Sequence, residues 1–529
     1  AVQARLGRSS EALASYDRAI ELEPCDEQSH LARSAALRAL GRSEEAVASC
    51  EKLLERNPQC AEAHVNRAAA LQELQRAEDA LVSCERAIAL QPDCAAAHLN
   101  RGISLHALDR TAEALASWDR VLQLDPQSAP AYLSRGAALQ ALQRPEEALA
   151  SCERAIALQP DCAAAHLNRS GALRDLNRFE EALASIERAI TLDPEAAPAR
   201  FNAGVMQLQL GRFDPGWSLY ENRLSALATS AWSHPFWRGR ESIRDKSLFV
   251  HCEQGFGDTI QFCRYLTMAE AHGARVVLSV DDRLRRLLRS LSPTIRFLGP
   301  GERPERFDFH CPLLSLPRAF GTTIDTIPVM MRYLAVEADR VTHWRQRLGD
   351  EGFKIGICWQ GNPRNPQDVG RSPPLEMFAP LATLPNVRLI SLQREHGLEQ
   401  LAAKPAGMTV EELGGEFEPG RPDSFLDAAA VMEGLDLVIS GDTAIAHLAG
   451  ALGRPTWVAL RHVPEWRWLL DREDSPWYPT LRLFRQSCRG DWAGVFAAMR
   501  RALIHVRSDP AGSHAGSTVS DGTSDVSKS

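Results

Sequence analysis

Small and apolar residues recur through the first two hundred positions with a fixed step of 34 residues. Pro24, Pro58, Pro92, Pro126, Pro160 and Pro194 mark one register, and Ala12, Ala46, Ala80, Ala114, Ala148 and Ala182 mark a second. A third holds only small residues: Ser34, Ala68, Gly102, Gly136, Ser170 and Gly204. Each period predicts two helices joined by a turn, with small positions that let the pair approach closely and a proline that stops the second helix. About six units cover 1–200, and GRFDPGWSLYENRL extends a partial seventh to about 224.

After about residue 235 the period shortens. KSLFVHC (246–252), ARVVLSV (274–280) and FDFHC (307–311) read as strands separated by helical stretches. A linker over 327–340 leads to a second set: KIGICW (354–359), VRLISLQ (387–393), LDLVIS (435–440), PTWVAL (455–460) and LRLFRQ (481–486). Strands alternating with helices imply parallel sheets. The expected fold is therefore α plus α/β, with a helical array over 1–224 and two Rossmann-like lobes at 235–340 and 341–507. The Ser-, Gly- and Thr-rich stretch 508–529 is expected to be disordered.

Bulk composition narrows the partners. The chain has 529 residues, 44% hydrophobic and 24% charged, with net charge −8. That charge gives no electrostatic reason to expect nucleic acid or an anionic membrane. No apolar run reaches the ~18 residues of a membrane span. No secretory n-region and h-region is read at the start, where Ala1 falls inside a repeat. Of the 12 cysteines, Cys50, Cys84 and Cys152 share the register of Tyr16, Trp118 and Ile186 and read as core fillers. Cys60, Cys94 and Cys162 occupy a tolerated small position. No CxxC pair occurs, so neither a zinc site nor a dithiol motif is expected, and a reducing cytoplasm is the expected compartment.

The chemistry concentrates in three polar knots at strand ends. HCEQGFGDTIQF (251–262) places Gly255 and Gly257 where a tight turn is expected and Asp258 at a helix start. WQGNPRNPQDVGRSPPLEMF (359–378) is a long loop carrying Gly361, Asn362, Arg364 and Arg371, and arginine suits bidentate grip of phosphate oxygens. VISGDTAIAHLAGALGRPTWVAL (438–460) ends a strand in Gly441-Asp442-Thr443 and opens a helix that carries His447. A helix N-terminus at the carboxyl edge of a parallel sheet is a ready anion site. Asp442 is expected to turn inward as the cap, leaving Thr443 and backbone N–H groups for the anion. Trp359, Trp466 and Trp468 are expected mainly to pack against the sheet.

Two resemblances follow from these residues. The 34-residue unit resembles the tetratricopeptide repeat. Arrays of that kind bind other chains along a concave face. Asn66, Asn100, Asn168 and Asn202 recur on the first helix of their units and resemble the peptide-gripping asparagines of protein O-GlcNAc transferase. An amide offers a donor and an acceptor to an extended backbone. Equivalent helices lie about 10 Å apart, or about three residues of extended chain. Asparagine merely suiting this position is the alternative.

The G-x-G-D knot and G-D-T-x-x-x-H-L-A-x-A-L-x-R-P are similar to heptosyltransferases and related two-lobed GT-B sugar transferases, over roughly 246–505. The resemblance implies transfer of a sugar, with inversion, from a nucleotide diphosphate sugar. It implies Asp258 as general base. Arg371, Asp442 and Thr443, with Gly255, Gly257, Gly361, Asn362, Gly441 and His447, would surround the donor. His447 as a buried support for the loop is the other reading.

No D-x-D triplet occurs, so no metal and no separate cofactor are expected. The W-Q-G-N-P and V-P-E-W-R-W-L-L-D-R segments depart from the heptosyltransferase pattern. Repeats before a transferase body are closer to protein O-GlcNAc transferase, so a polypeptide acceptor is as open as a glycan, with the groove recruiting it or a partner protein. The alternative is a non-catalytic repeat scaffold with a degenerate transferase-like domain.

Overall fold

The computed structural model describes residues 2–226, 234–365, 368–417 and 423–508. Ser508 ends a helix, Trp492–Ser508; the remainder of the 508–529 tail lies outside the described residues. The chain divides into two compact units, Ala1–Ala203 and Gly204–Ser529. The division falls ahead of 224 because the helix Phe213–Tyr220 packs within the second unit. There Trp217 donates its ring N–H to Thr322 O at 2.9 Å and meets Trp466 edge-on at 5.3 Å.

In the first unit each period is a helix pair, such as Ala61–Glu73 with Ala77–Leu90 and Ala95–Ala107 with Thr111–Leu124. The small register does the work its spacing predicts. A Cβ on Gly102 would fall 2.4 Å from the Trp118 ring nitrogen, and one on Gly136 2.8 Å from Cys152 Sγ. Small and large positions therefore interlock between the two helices of a pair. Cys84 and Cys152 are fully buried, and burial pushes both thiols up to about 12, which leaves them inert fillers.

The turn inside each pair repeats as well. Gly41, Gln75, Asp109, Gln143 and Asn177 all adopt positive φ, between 58° and 72°. The N–H of the following arginine reaches back five residues to a helix carbonyl, for example Arg76 to Leu71 O and Arg144 to Leu139 O, each at 2.9 Å. This is the Schellman closure of a helix C-terminus. Between units, His30, His64, His98 and His166 each bring Nε2 within 2.9–3.3 Å of a proline carbonyl six residues earlier.

The second unit holds two parallel sheets. Strands β1 (Ser247–His251), β2 (Arg275–Ser279), β3 (Arg296–Leu298) and β4 (Phe309–Pro312) form the first, in order β3-β2-β1-β4. The second contains β5 (Phe353–Cys358), β6 (Val387–Ser391), β7 (Val410–Glu411), β8 (Leu437–Gly441), β9 (Thr456–Leu460) and β10 (Leu481–Arg485). Its order, β10-β9-β8-β5-β6-β7, is the doubly wound Rossmann order, with the switch point between β5 and β8. Every pairing between these strands is parallel. The boundary expected at 340 cuts a helix, Ala338–Leu348. That helix packs on the second lobe, where Leu348 O accepts from Arg388 at 2.8 Å.

Among the ties that join the lobes, the most deeply buried is made by an arginine. Arg264, on the helix Arg264–Ala271, is fully buried. Its Nη1 donates to Trp477 O across the lobe boundary at 2.7 Å, its Nε to Gln261 O at 2.8 Å and its Nη2 to the Tyr333 hydroxyl at 3.0 Å. The guanidinium also lies over the rings of Tyr333 and Tyr478, at 4.6 and 4.7 Å. It has no carboxylate partner among the described residues; carbonyl dipoles and ring faces hold the charge.

At the carboxyl end of β1, burial lowers His251 to about 4, with the neighbouring His310 and Arg223 adding to the shift. The unfolded chain takes up this proton below about 6.5, whereas the folded one resists it down to about 4. The contribution is therefore complete above 6.5 and is lost as pH falls through that window, by about 1.4 kcal/mol per pH unit for one proton. Urea unfolding of wild type and His251→Gln between pH 7 and 4.5 should differ by that slope. Parallel slopes would contradict it.

Candidate functional site

The second-lobe switch point assembles two of the three knots. Gly441 ends β8, Asp442 follows, and Thr443 stands in extended conformation (φ −136°, ψ 169°) as the cap of the helix Ala444–Ala451. Its Oγ1 accepts from Ile445 N–H at 3.2 Å and lies 2.9 Å from Ser440 Oγ. The cap is thus Thr443 and not Asp442, which sits one residue too early to reach the free N–H groups of the first turn. Asp442 is buried and has no hydrogen bond among the described residues. Its carboxylate is close enough to Glu465 to add to the upward push that burial gives that group, against the opposing pull of Arg467.

The long loop folds over this turn. A Cβ on Gly441 would come 3.0 Å from Pro373 Cδ and 3.6 Å from Arg371 O, so Gly441 is the close approach that lets the loop lie against the end of β8. Asp368, buried, organises the loop: it accepts from Gln360 Nε2 (2.9 Å), Ser372 Oγ (2.9 Å) and Arg371 Nε (3.3 Å). Ser372 Oγ in turn accepts from Gly361 N–H at 2.9 Å. A side chain at Gly361 would strike Asp368, 2.5 Å from the site of its Cβ. Asn362 makes a local turn, accepting from Arg364 N–H at 3.0 Å. Gln393, beyond β6, receives the N–H groups of Trp359 and Gln360 on Oε1, both at 3.0 Å, and donates to Gln360 O at 2.8 Å. Trp359, Trp466 and Trp468 are fully buried.

The first-lobe knot has a different physical basis from the tight turn expected. Neither Gly255 nor Gly257 adopts positive φ. Gly257 is required by packing: a Cβ there would fall 2.8 Å from His447 Cδ2, where the helix Phe256–Phe262 meets Ala444–Ala451. His447 is buried in that contact. Its Nδ1 lies 3.0 Å from the Tyr478 hydroxyl and its ring stacks on Trp468 at 5.2 Å. Burial holds it well below the usual histidine range. It packs at the junction as a neutral ring, 5% exposed.

Asp258 closes the helix start, Oδ2 accepting from Gly255 N–H at 3.0 Å. Its Oδ1 receives Arg467 across the lobe boundary, and the same guanidinium binds Glu465. Arg467 is buried, lies over Trp466 at 4.3 Å, and is raised by its two carboxylates against the cost of burial. Leu469 and Asp471, just beyond, both hold φ of 53°. For a branched side chain such as leucine this is strained backbone, and strain of that kind gathers at functional segments.

The first lobe has its own switch point, between β1 and β4, and it is filled from within. Glu253, its side chain 4% exposed, accepts from the N–H groups of Leu313 and Leu314 at 3.1 and 3.2 Å, and from Arg223 at 2.9 Å. Sequence reading passed over Arg467, Glu465, Gln393, Asp368 and Glu253. The departure of V-P-E-W-R-W from the family pattern was the signal available for the first two. Of the asparagine register, Asn100 donates to Val65 O at 3.3 Å in the preceding unit. Asn66, Asn168 and Asn202 are half-buried.

Comparison with known proteins gives two kinds of match. Tetratricopeptide repeats match at 2–59, 31–84, 66–129, 133–197 and 172–214. Residues 386–460 match glycosyltransferase family 9 (heptosyltransferase), a span that holds β6 to β9 and the Thr443 turn but neither Asp258 nor Arg371. Protein FlbA of Caulobacter vibrioides is 29% identical over 317 residues, 54% of this chain and 52% of FlbA. The chain thus spans about half the length of that curated relative. A thermophilic TPR protein of Thermus thermophilus is 26% identical over 34% of this chain and 99% of its own, with TM-score 0.31. YrrB, described as a TPR protein with an unusual peptide-binding site, is 22% identical over 35% and 95%, with TM-score 0.29. Tetratricopeptide repeats therefore occupy the N-terminal region, and a glycosyltransferase-family domain follows. Among the described residues no helix is long and apolar enough to cross a membrane.

Proposed function

We propose that the second unit transfers a sugar from a nucleotide diphosphate sugar to a polypeptide or glycan acceptor, and that the repeats recruit the acceptor or a partner protein. The observation that carries this reading is the Arg371 loop lying on Gly441 at the switch point of a Rossmann-ordered sheet, beside the N-terminus of the Thr443-capped helix. Helix N–H groups and a guanidinium together relieve charge on a leaving diphosphate. Since the Thr443 hydroxyl is committed to capping, the backbone N–H groups supply the helix's share. Asp258 takes the acceptor proton, and its two bonds, to Gly255 and Arg467, fix the carboxylate's direction. No metal step is invoked, because the sequence carries no D-x-D triplet. On the repeats, the half-buried amides of Asn66, Asn168 and Asn202 would grip an extended acceptor backbone; Asn100 already spends its donor within the array.

The scaffold reading draws on one observation: both Asp258 oxygens are engaged within the fold. Calorimetric titration with UDP, GDP, ADP and CDP tests the proposal first. One nucleotide should bind in the micromolar range, and Arg371→Ala should weaken it at least tenfold, or ~1.4 kcal/mol. No binding of any of the four would leave the scaffold.

A further inference from the structure

A second concave site lies on the first lobe, and its lining shares no residue with the switch-point turn. It is a cavity of about 270 Å³ between the helix Phe213–Tyr220, the 238–240 segment and the turn at 318–323. Arg238, Arg240 and Arg318 all line it, with Asp214 as the single carboxylate. Trp217 forms a wall, held in place by its bond to Thr322 O.

The charges in this cavity are poorly matched by the protein. Arg240 has no hydrogen bond or ion pair among the described residues, and Arg238 has only the Phe236 ring, at 5.2 Å. Arg318 meets the Ser218 hydroxyl at a long 3.5 Å and reaches Glu221 no closer than 3.9 Å. Glu221 already accepts from Arg223 at 2.7 Å and from the Ser315 hydroxyl at 2.9 Å. Three guanidiniums thus converge on one concavity of a chain whose net charge is −8. A cleft lined by one sign of charge concentrates counter-ions, and arginine matches phosphate oxygens in geometry as well as sign. The volume falls below the ~300 Å³ at which pockets for drug-sized ligands begin, so it suits something smaller than a nucleotide. Asp214 repels a bare anion but accepts hydrogen bonds from hydroxyl groups.

We propose that this cavity binds a small phosphate monoester carrying hydroxyls, of the phosphosugar class, with the phosphate among Arg238, Arg240 and Arg318 and a hydroxyl on Asp214. The test is calorimetric titration of the full chain with a hexose phosphate and, separately, with inorganic phosphate. The hexose phosphate should bind below millimolar Kd and more tightly than the free ion. The double variant Arg240→Gln/Arg318→Gln, both at exposed positions, should weaken it at least tenfold, while Arg371→Ala leaves it unchanged. Asp214→Asn should weaken the hexose phosphate and tighten inorganic phosphate. Absence of binding, wild-type affinity in the double variant, or loss in Arg371→Ala would each overturn the site. The same response of both ligands to Asp214→Asn would overturn the sugar assignment.

Discussion

Asp258→Asn is expected to lower sugar transfer by 10²–10⁴-fold, the usual contribution of a positioned base, while nucleotide binding stays near wild type. The asparagine keeps the shape and one acceptor oxygen for Gly255 N–H, and Arg467 keeps Glu465. The donor contacts proposed for Arg371 and the Thr443 turn lie on the other lobe and are untouched. Loss of a partly buried, charge-assisted bond should also cost ~1–3 kcal/mol of stability, so urea unfolding must accompany the assay. Single-turnover transfer, with the donor identified by calorimetry, separates the readings. A variant that folds, binds and transfers at the wild-type rate would remove Asp258 from the chemistry and leave it as a helix cap and lobe tie.

Arg264→Ala is expected to be the most damaging single change in the second unit, at ~3–5 kcal/mol. It strips donors from the Gln261, Pro328 and Trp477 carbonyls and the Tyr333 hydroxyl in a buried site, and it leaves a void over the Tyr333 and Tyr478 rings. Arg264→Lys should fall between, because an ammonium can meet one or two of those acceptors but does not spread flat over the rings. Urea unfolding followed by tryptophan fluorescence reports on this unit, which holds ten of the chain's 11 tryptophans. A loss below ~1 kcal/mol in the alanine variant would mean that carbonyl and ring contacts contribute little to fastening the lobes.

Much of the architecture was legible because it is written in period. The 34-residue step gave the repeats, and eight of the ten strands among the described residues coincide with apolar runs. The two that escaped, β3 and β7, are edge strands of three and two residues, too short for alternation to register. Candidate residues were legible where composition is local: Gly441, Thr443 and Arg371 sit in a turn and a loop whose Gly, Asn, Pro and Arg content singles them out, and their role toward a donor is the proposal made above. The choice of cap was missed because aspartate and threonine are nearly equivalent caps, and only the backbone decides which residue is half in the helix. Arg467 was missed because an arginine amid W-R-W-L-L reads as a surface charge. Its partner Asp258 lies 209 positions earlier, and burial by a distant segment leaves no local trace. Gly257 was noticed for the wrong reason: its neighbour is His447, in the other lobe.

The recurring left-handed turn bears on how such an array changes length. Gly41, Gln75, Asp109, Gln143 and Asn177 present the same backbone geometry and the same bond reaching back five residues. A segment excised at one of these joints and spliced at another meets an identical seam. The stretch CERAIALQPDCAAAHLNR, found unchanged at 84–101 and 152–169, has the form that unequal crossing-over between such seams would leave. Recombination can therefore lengthen or shorten the array by whole units while every joint stays in register, so its length is open to selection without redesign of any interface.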